Sequence, residues 1–356
     1  MIVRGEAMEN EINLQCPVPI QGHDRIQMGH GGGGKLSQQL IESIFVPLFS
    51  NAALLARHDG AVFEAGGQRI AFSTDSYVVR PLFFPGGNIG DLAVNGTVND
   101  LAMCGARPLA LSAGFIIEEG FPMESLKKVA ETMSAAASRV GVPIVTGDTK
   151  VVDKGKGDGL YINTAGIGIV ECGFTVDPSR MREGDSVIVS GDLGRHGVAI
   201  LAVREGLQFE TVIQTDCQPL WGVVQSLLKA GLEIHCLRDL TRGGLTAALN
   251  ETAQTSGLSI HVEEAKIPLR EDVKGACEML GLDPLGVANE GRFILFLPAH
   301  QAEKAMEIMR RDSAGAGATM IGRVGKERPG LVTIQSLVGV ERILDMPSGE
   351  QLPRIC

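Results

Sequence analysis

Residues 88–117 read NIGDLAVNGTVNDLAMCGARPLALSAGFII, and the switch of period within them sets the fold class: a helix over 88–106, then a strand over 108–117. On the N-terminal side, RIAFSTDSYVV (69–79) alternates as a strand. Before it, SQQLIESIFVPLF (37–49) carries apolar residues at 40, 41, 44, 45 and 48, a helical stripe entered through Ser37 as N-cap. On the C-terminal side, PMESLKKVAETMSAAASRVG (122–141) is a long amphipathic helix. Strands at 143–148 and 160–170 then flank the loop DKGKGDG (153–159). One α/β domain over 29–172 is therefore predicted. A polar connector holding Pro178 and Gly184 follows, and mixed strands and helices over 185–344 form a second domain. The fold class is α/β (α+β). Residues 1–28 have no period and read as a flexible extension. Residues 345–356, DMPSGEQLPRIC, read as a mobile tail with no core to join.

Composition narrows the function classes. The 356 residues are enough for two cores; 44% are hydrophobic, 21% charged and 46 are glycine, which describes a folded chain. With 32 Lys and Arg against 42 Asp and Glu, the net charge is −10, and aromatics make up only 4%. Neither the electrostatics nor the stacking surfaces of a nucleic-acid binder are present. No apolar run approaches the roughly 20 residues of a membrane span, and the opening MIVRGEAMEN has no apolar signal core, so a cytoplasmic location is expected. Seven scattered cysteines without a C-x-x-C pair argue against zinc or a disulfide framework.

Several segments carry chemistry. GHGGGGK (29–35) nearly matches a P-loop, but Leu36 stands where a magnesium-binding hydroxyl is required. The run either wraps an anion as a flap or acts as a hinge. Isolated acids inside apolar elements say more, because Asp is rarely buried without a partner or cation. Asp75 lies within a strand, Asp100 is one helical turn from Gly96 with Asn99 beside it, Asp148 ends a strand, and Asp239 precedes a glycine-opened helix. Converging, these four would hold Mg²⁺ and a polyphosphate. Lys150 offers charge for phosphate, Arg242 either holds phosphate or caps, and Glu290 with Gly291 beside it is a candidate general base.

In order along the chain, GHGGGGK, FSTDSYVV, PLFFPGGNIGDLAVNGTVNDLAMCGARP, IVTGDTKVV, LRDLTRGGL, ANEGR and the terminal PRIC resemble the HypE family of hydrogenase maturation proteins. That family lies in the superfamily of aminoimidazole ribonucleotide synthetase and selenophosphate synthetase. The resemblance runs from residue 29 to the end, and PRIC is its most specific element. It implies a two-domain PurM-like (AIR synthetase-like) fold whose N-terminal sheets form a barrel in a homodimer. The implied activity is ATP-dependent dehydration of the C-terminal thiocarboxamide to a thiocyanate, which supplies cyanide ligands to nickel-iron hydrogenase. HypF would carbamoylate Cys356, and the HypC–HypD complex would accept the cyanide.

The resemblance further implies that Cys356, Lys150 and Glu290 are catalytic. Asp75, Asp100 and Asp239 would hold the metal, and Asp148, Thr149 and Asn163 would join them, with Asn99 and Arg242, at ATP. The chemistry is coherent with this assignment, because an amide oxygen leaves only once phosphorylated, and completing a nitrile requires removal of protons. Two alternatives are a superfamily enzyme acting on a free metabolite and a non-catalytic docking scaffold.

Overall fold

The computed structural model describes residues 24–207, 212–348 and 354–356. Of the expected N-terminal extension, residues 1–23 lie outside the described residues, as does the tail segment 349–353. Met28–Gly31 forms a 3₁₀ turn. Helix α1 (Lys35–Leu40) runs through a π segment (Ile41–Phe45) into α2 (Val46–Phe49), and α3 (Ala52–Leu55) follows. The helix therefore starts two residues before Ser37. That hydroxyl accepts from Gly33 N (3.0 Å) and donates to His30 O (2.8 Å), so it ties down the glycine run instead of capping.

The first sheet contains β1 (Ala61–Ala65), β2 (Gln68–Tyr77), β5 (Ala106–Glu118), β6 (Ile144–Val152) and β7 (Leu160–Val170), in the order β1-β2-β7-β5-β6. Only the β5–β6 pair is parallel. A small hairpin, β3 (Phe83–Phe84) with β4 (Gly87–Asn88), leads into α4 (Ile89–Met103). Helices α4 and α5 (Met123–Val140) pack on one face of the sheet, through Leu92, Val98, Val129 and Met133 against Leu111 and Ile162. Every described residue of α4 but Asp91 is buried, which explains its small and apolar sequence. Where α4 crosses β2, a Cβ at Gly96 would lie 2.0 Å from the Tyr77 hydroxyl, so only glycine permits the approach.

The second sheet contains β8 (Asp185–Val189), β9 (Cys236–Asp239), β10 (Ser259–Glu263), β11 (Phe293–Pro298), β12 (Thr319–Gly325), β13 (Val332–Gln335) and β14 (Glu341–Ile343). Its order is β14-β13-β10-β12-β8-β11-β9. Helices α6 (Arg195–Arg204), α7 (Trp221–Lys229), α8 (Gly244–Ser256), α9 (Glu271–Leu280) and α10 (Ala302–Met309) accompany it. β8 and β11 are buried along their whole length except Pro298, as expected of central strands covered on both faces. No helix among the described residues is long and apolar enough to cross a membrane.

The expectation that the tail has no core to join does not hold. Within 345–356, Met346 is buried and Ile355 is 3% exposed inside the first core. The Ile355 side chain at the end of the chain is one of the anchors.

Candidate functional site

Three elements and one turn converge on a pocket of carboxylates. Along β2, alternation points Ser73, Asp75 and Tyr77 inward and Thr74 and Ser76 outward. α4 contributes Asp100, the end of β9 contributes Asp239, and the turn before β1 contributes Asp59. Carboxylate oxygens of Asp59, Asp100 and Asp239 all lie within 4.8 Å of one another. The surrounding cavity, about 190 Å³, also takes Asp75, Arg238 and Arg242 into its wall.

Burial pushes the carboxyls of Asp100 and Asp239 well above the usual range, and the neighbouring acids add to the shift. Burial also raises Asp59, to about 6, against the pull of Arg238, whose Nη1 lies 3.0 Å from Asp59 Oδ1. Arg238 also pairs with Glu251, so one guanidinium is divided between two carboxylates. Hard oxygen donors this close, with so little compensating charge, fit a divalent cation. Sequence reasoning named Asp75, Asp100 and Asp239 as the metal set. The structure puts Asp59 in the close group and Asp75 in the wall beside it.

A second cavity of about 340 Å³ adjoins the first, since Asp75 and Arg242 line both. Gly31, Tyr77, Glu290 and Cys356 are also on its walls. Glu290 is 3% exposed and its Oε1 accepts no hydrogen bond among the described residues. Burial, then the charges of Asp239, Asp216 and Asp75, raise its carboxyl well above the ordinary value. Asp216 fixes the loop by accepting from Glu290 N and Gly291 N. A Cβ at 291 would lie 2.0 Å from Asp216 O, which accounts for glycine there. Asp75 accepts from the Tyr77 hydroxyl at 3.3 Å. Gly33, at φ +75°, packs on Arg242, where a Cβ would meet its Cβ at 2.7 Å, so the glycine run closes over this arginine. The tail follows the same wall: Lys35 N donates to Pro347 O (2.9 Å), Lys35 Nζ pairs with Asp345 (2.5 Å), and Val78 N donates to Cys356 O (3.0 Å).

Asn99 takes a different part from the one expected. Its amide donates to Gln218 O and Glu290 O and accepts from Leu220 N (2.8 Å), so it ties α4 to the loop carrying Glu290. Asp148, Lys150 and Asn163 are not brought to either cavity. Ser76, Asn163, Gly114 and Asp148 stand in one transverse row of the first sheet, with Lys150 opposite Ile116. This row faces outward, away from α4 and α5. The Lys150–Asp148 pair (3.0 Å) is about 70% exposed on both sides, and pairs so solvated contribute little to stability. Thr149 lines the groove between β6 and α5. Around the row, Phe63, Phe72, Ile116 and Ile167 are all more than 40% exposed, Phe72 also lining a cavity with Ile41 and Val46.

Two family models match the chain: the AIR synthase related protein N-terminal domain over residues 57–170 and its C-terminal domain over 182–334. A carbamoyl dehydratase HypE of Azotobacter vinelandii is 51% identical over 331 residues, covering 93% of this chain and 97% of that protein. A crystal structure of a HypE–HypF complex matches with TM-score 0.82 and 48% identity over 86% of this chain and 99% of that one. A crystal structure of HypE in complex with ATP matches with TM-score 0.79 and 45% identity over 93% of this chain and all of that one. With both domain models in sequence and relatives of this closeness along nearly the whole length, the chain belongs to the AIR synthase related family and, within it, to HypE.

Proposed function

We propose that this chain is an ATP-dependent carbamoyl dehydratase acting on its own terminal residue. It converts carbamoylated Cys356 to a thiocyanate and so supplies cyanide for the iron of nickel-iron hydrogenase. The observation that carries the reading is the placement of Cys356 in one cavity with Glu290 and Arg242, sharing a wall with the carboxylate pocket.

The amide oxygen of S–C(=O)–NH₂ attacks the γ-phosphorus as ADP leaves, and one N–H proton is lost. The C–O bond then breaks, phosphate departs, the second N–H proton is removed, and a C≡N bond remains. Glu290, unpartnered at Oε1 among the described residues and lining the same cavity as Cys356, is the base placed to take a proton. Burial raises its carboxyl above the ordinary value, so its ionised form binds a proton strongly. Arg242 supplies fixed positive charge where phosphate charge moves. Gly31 and Gly32 present backbone without side chains to the same space. Asp59, Asp100 and Asp239, with Asp75 at the wall, would hold Mg²⁺, which would neutralise and orient the polyphosphate.

The exposed apolar face of the first sheet is the natural seat of a second copy, and a homodimer formed there would bring the Asp148–Lys150 row and Asn163 to the nucleotide of its partner. HypF as carbamoyl donor, HypC–HypD as acceptor and a cytoplasmic setting complete the reading. For each delivery the tail must leave its dock.

The test is intact mass. Protein carbamoylated at Cys356 and given Mg²⁺-ATP should lose the mass of one water for each ADP formed; ATP consumption with no such loss would sink the reading. The metal set has its own test in calorimetry. Asp59→Asn and Asp239→Asn should weaken Mg²⁺-ATP binding about tenfold or more, about 1.4 kcal/mol, with no change in binding of metal-free ATP. A full effect from Asp75→Asn with none from Asp59→Asn would restore the set read from sequence.

A further inference from the structure

We propose that Asp158, His196 and Arg204 are positioning residues that clamp Arg354 and Ile355, so that the terminal residue reaches the reaction chamber in one fixed register. The proposal rests on the reading that Cys356 carries the reacting group.

The last three residues lie beside residues 78–80, just past β2. Val78 N donates to Cys356 O and Arg80 N to Arg354 O (3.1 Å), while Arg354 Nε donates to Val78 O (3.1 Å). Two backbone hydrogen bonds and one from the Arg354 side chain therefore seat the terminus against this segment. Three side chains, two from α6 and one from the 153–159 loop, lock it. From α6, His196 Nε2 lies 3.0 Å from Ile355 O and its Nδ1 lies 2.7 Å from Thr215 Oγ1. A carbonyl can only accept, so Nε2 carries the proton and Nδ1 accepts from the Thr215 hydroxyl. Burial, which favours the neutral ring, agrees with that arrangement. From the end of α6, Arg204 Nη2 donates to Arg354 O (2.7 Å) and to Arg80 O (2.5 Å), bridging tail and dock.

The third side chain is Asp158, which pairs with the Arg354 guanidinium. It sits on the DKGKGDG loop, and Glu118 holds that loop by accepting from Gly155 N (2.5 Å) and Gly159 N (2.9 Å). The ion pair, with the two backbone hydrogen bonds, holds Arg354 at φ +56°, a conformation that few non-glycine residues adopt. Ile355 then buries its side chain beside Val79, Ile200 and Ala288.

All these anchors act on Arg354, Ile355 and the Cys356 backbone, so a carbamoyl group added to the sulfur leaves them intact. Without them a thiol on a twelve-residue tether would sweep a wide volume, and in-line attack on phosphorus demands a defined approach. A half-buried ion pair and a few hydrogen bonds can also be released, as delivery to another protein requires.

The experiment reads tail docking apart from catalysis. Alkylation of Cys356 by iodoacetamide is followed by mass spectrometry of the C-terminal peptide in the full chain. Asp158→Arg sets three arginines together and should speed alkylation roughly tenfold. Adding Arg354→Asp should restore the ion pair and bring the rate back near wild type. Arg354→Ala, on the tail and so no threat to folding, should also speed it. In carbamoylated protein Asp158→Arg should slow single-turnover loss of water by a similar factor with ATP affinity unchanged. Alkylation unchanged in both Asp158→Arg and Arg354→Ala overturns the clamp even where wild type dehydrates normally. Faster alkylation in both, with no dehydration by wild type, upholds the clamp and rejects the proposed chemistry.

Discussion

Glu290→Gln should leave the fold and Mg²⁺-ATP binding intact and cut single-turnover dehydration by about 10²–10⁴-fold, the usual contribution of a positioned general base. The substitution keeps the shape of the side chain and removes only its capacity to be negative. Asn99 and Asp216 bind the backbone of this loop, so its position is independent of the carboxylate. The pH dependence gives a second signature. A base works ionised, and burial raises this carboxyl well above its ordinary value. The wild-type rate should therefore climb with pH through that elevated value, and the residual rate of Glu290→Gln should lack the climb.

Stability should move the other way. A carboxyl whose folded value is raised binds protons more tightly in the native state, so its contribution is fully present below the unfolded value near 4.5 and is lost as pH rises through the folded one. Glu290→Gln should gain on wild type in melting temperature as pH increases. A variant with wild-type turnover at every pH would remove Glu290 from the chemistry, and a melting difference independent of pH would show the site solvated.

What could be read from the chain, and what could not, follows from how local each signal is. The alternation of 69–79 placed Asp75 within a strand and the period of 88–106 placed Asp100 on a helix; that Asp75 faces inward and that this helix is buried on all sides are visible only in the fold. Asp59 was missed with β1, whose turn does have a signal: Gly66 and Gly67 both at positive φ form a two-residue hairpin connection after AVFEA. Reading that hairpin would have put Asp59 at the mouth of a strand. Asn99 looked like a ligand because nothing near it in sequence shows the loops at 218–220 and 290 that it binds. Ile355 is one apolar residue among prolines and charges, and its anchoring depends on His196, 159 positions away, and on Arg204, 150 positions from the neighbouring Arg354. Lys150 was grouped with Glu290 through the resemblance, which carries no information on which subunit or face supplies it. Which face of an edge strand it occupies depends on register with β5, a long-range property.

That separation leads to the second large effect. If the partner subunit's Lys150 completes the site, Lys150→Ala and Glu290→Gln should each abolish dehydration, and a mixture allowed to exchange subunits should recover it. Random exchange makes half the dimers mixed. In each mixed dimer one site has lost both groups and the other has kept both, so activity should return to about a quarter of wild type in a symmetric pair. The same face, with Phe72, Ile116 and Ile167 exposed around the Lys150 row, is what a second copy would cover. Replacing Ile116 by Asp should split the dimer and remove the recovery, because a buried unpaired charge on the shared face outweighs the apolar contact it replaces. Lys150 acting within its own chain predicts the opposite: mixed dimers hold no chain with both groups, and the mixture stays inactive although mass spectrometry of the intact complex shows the mixed species present.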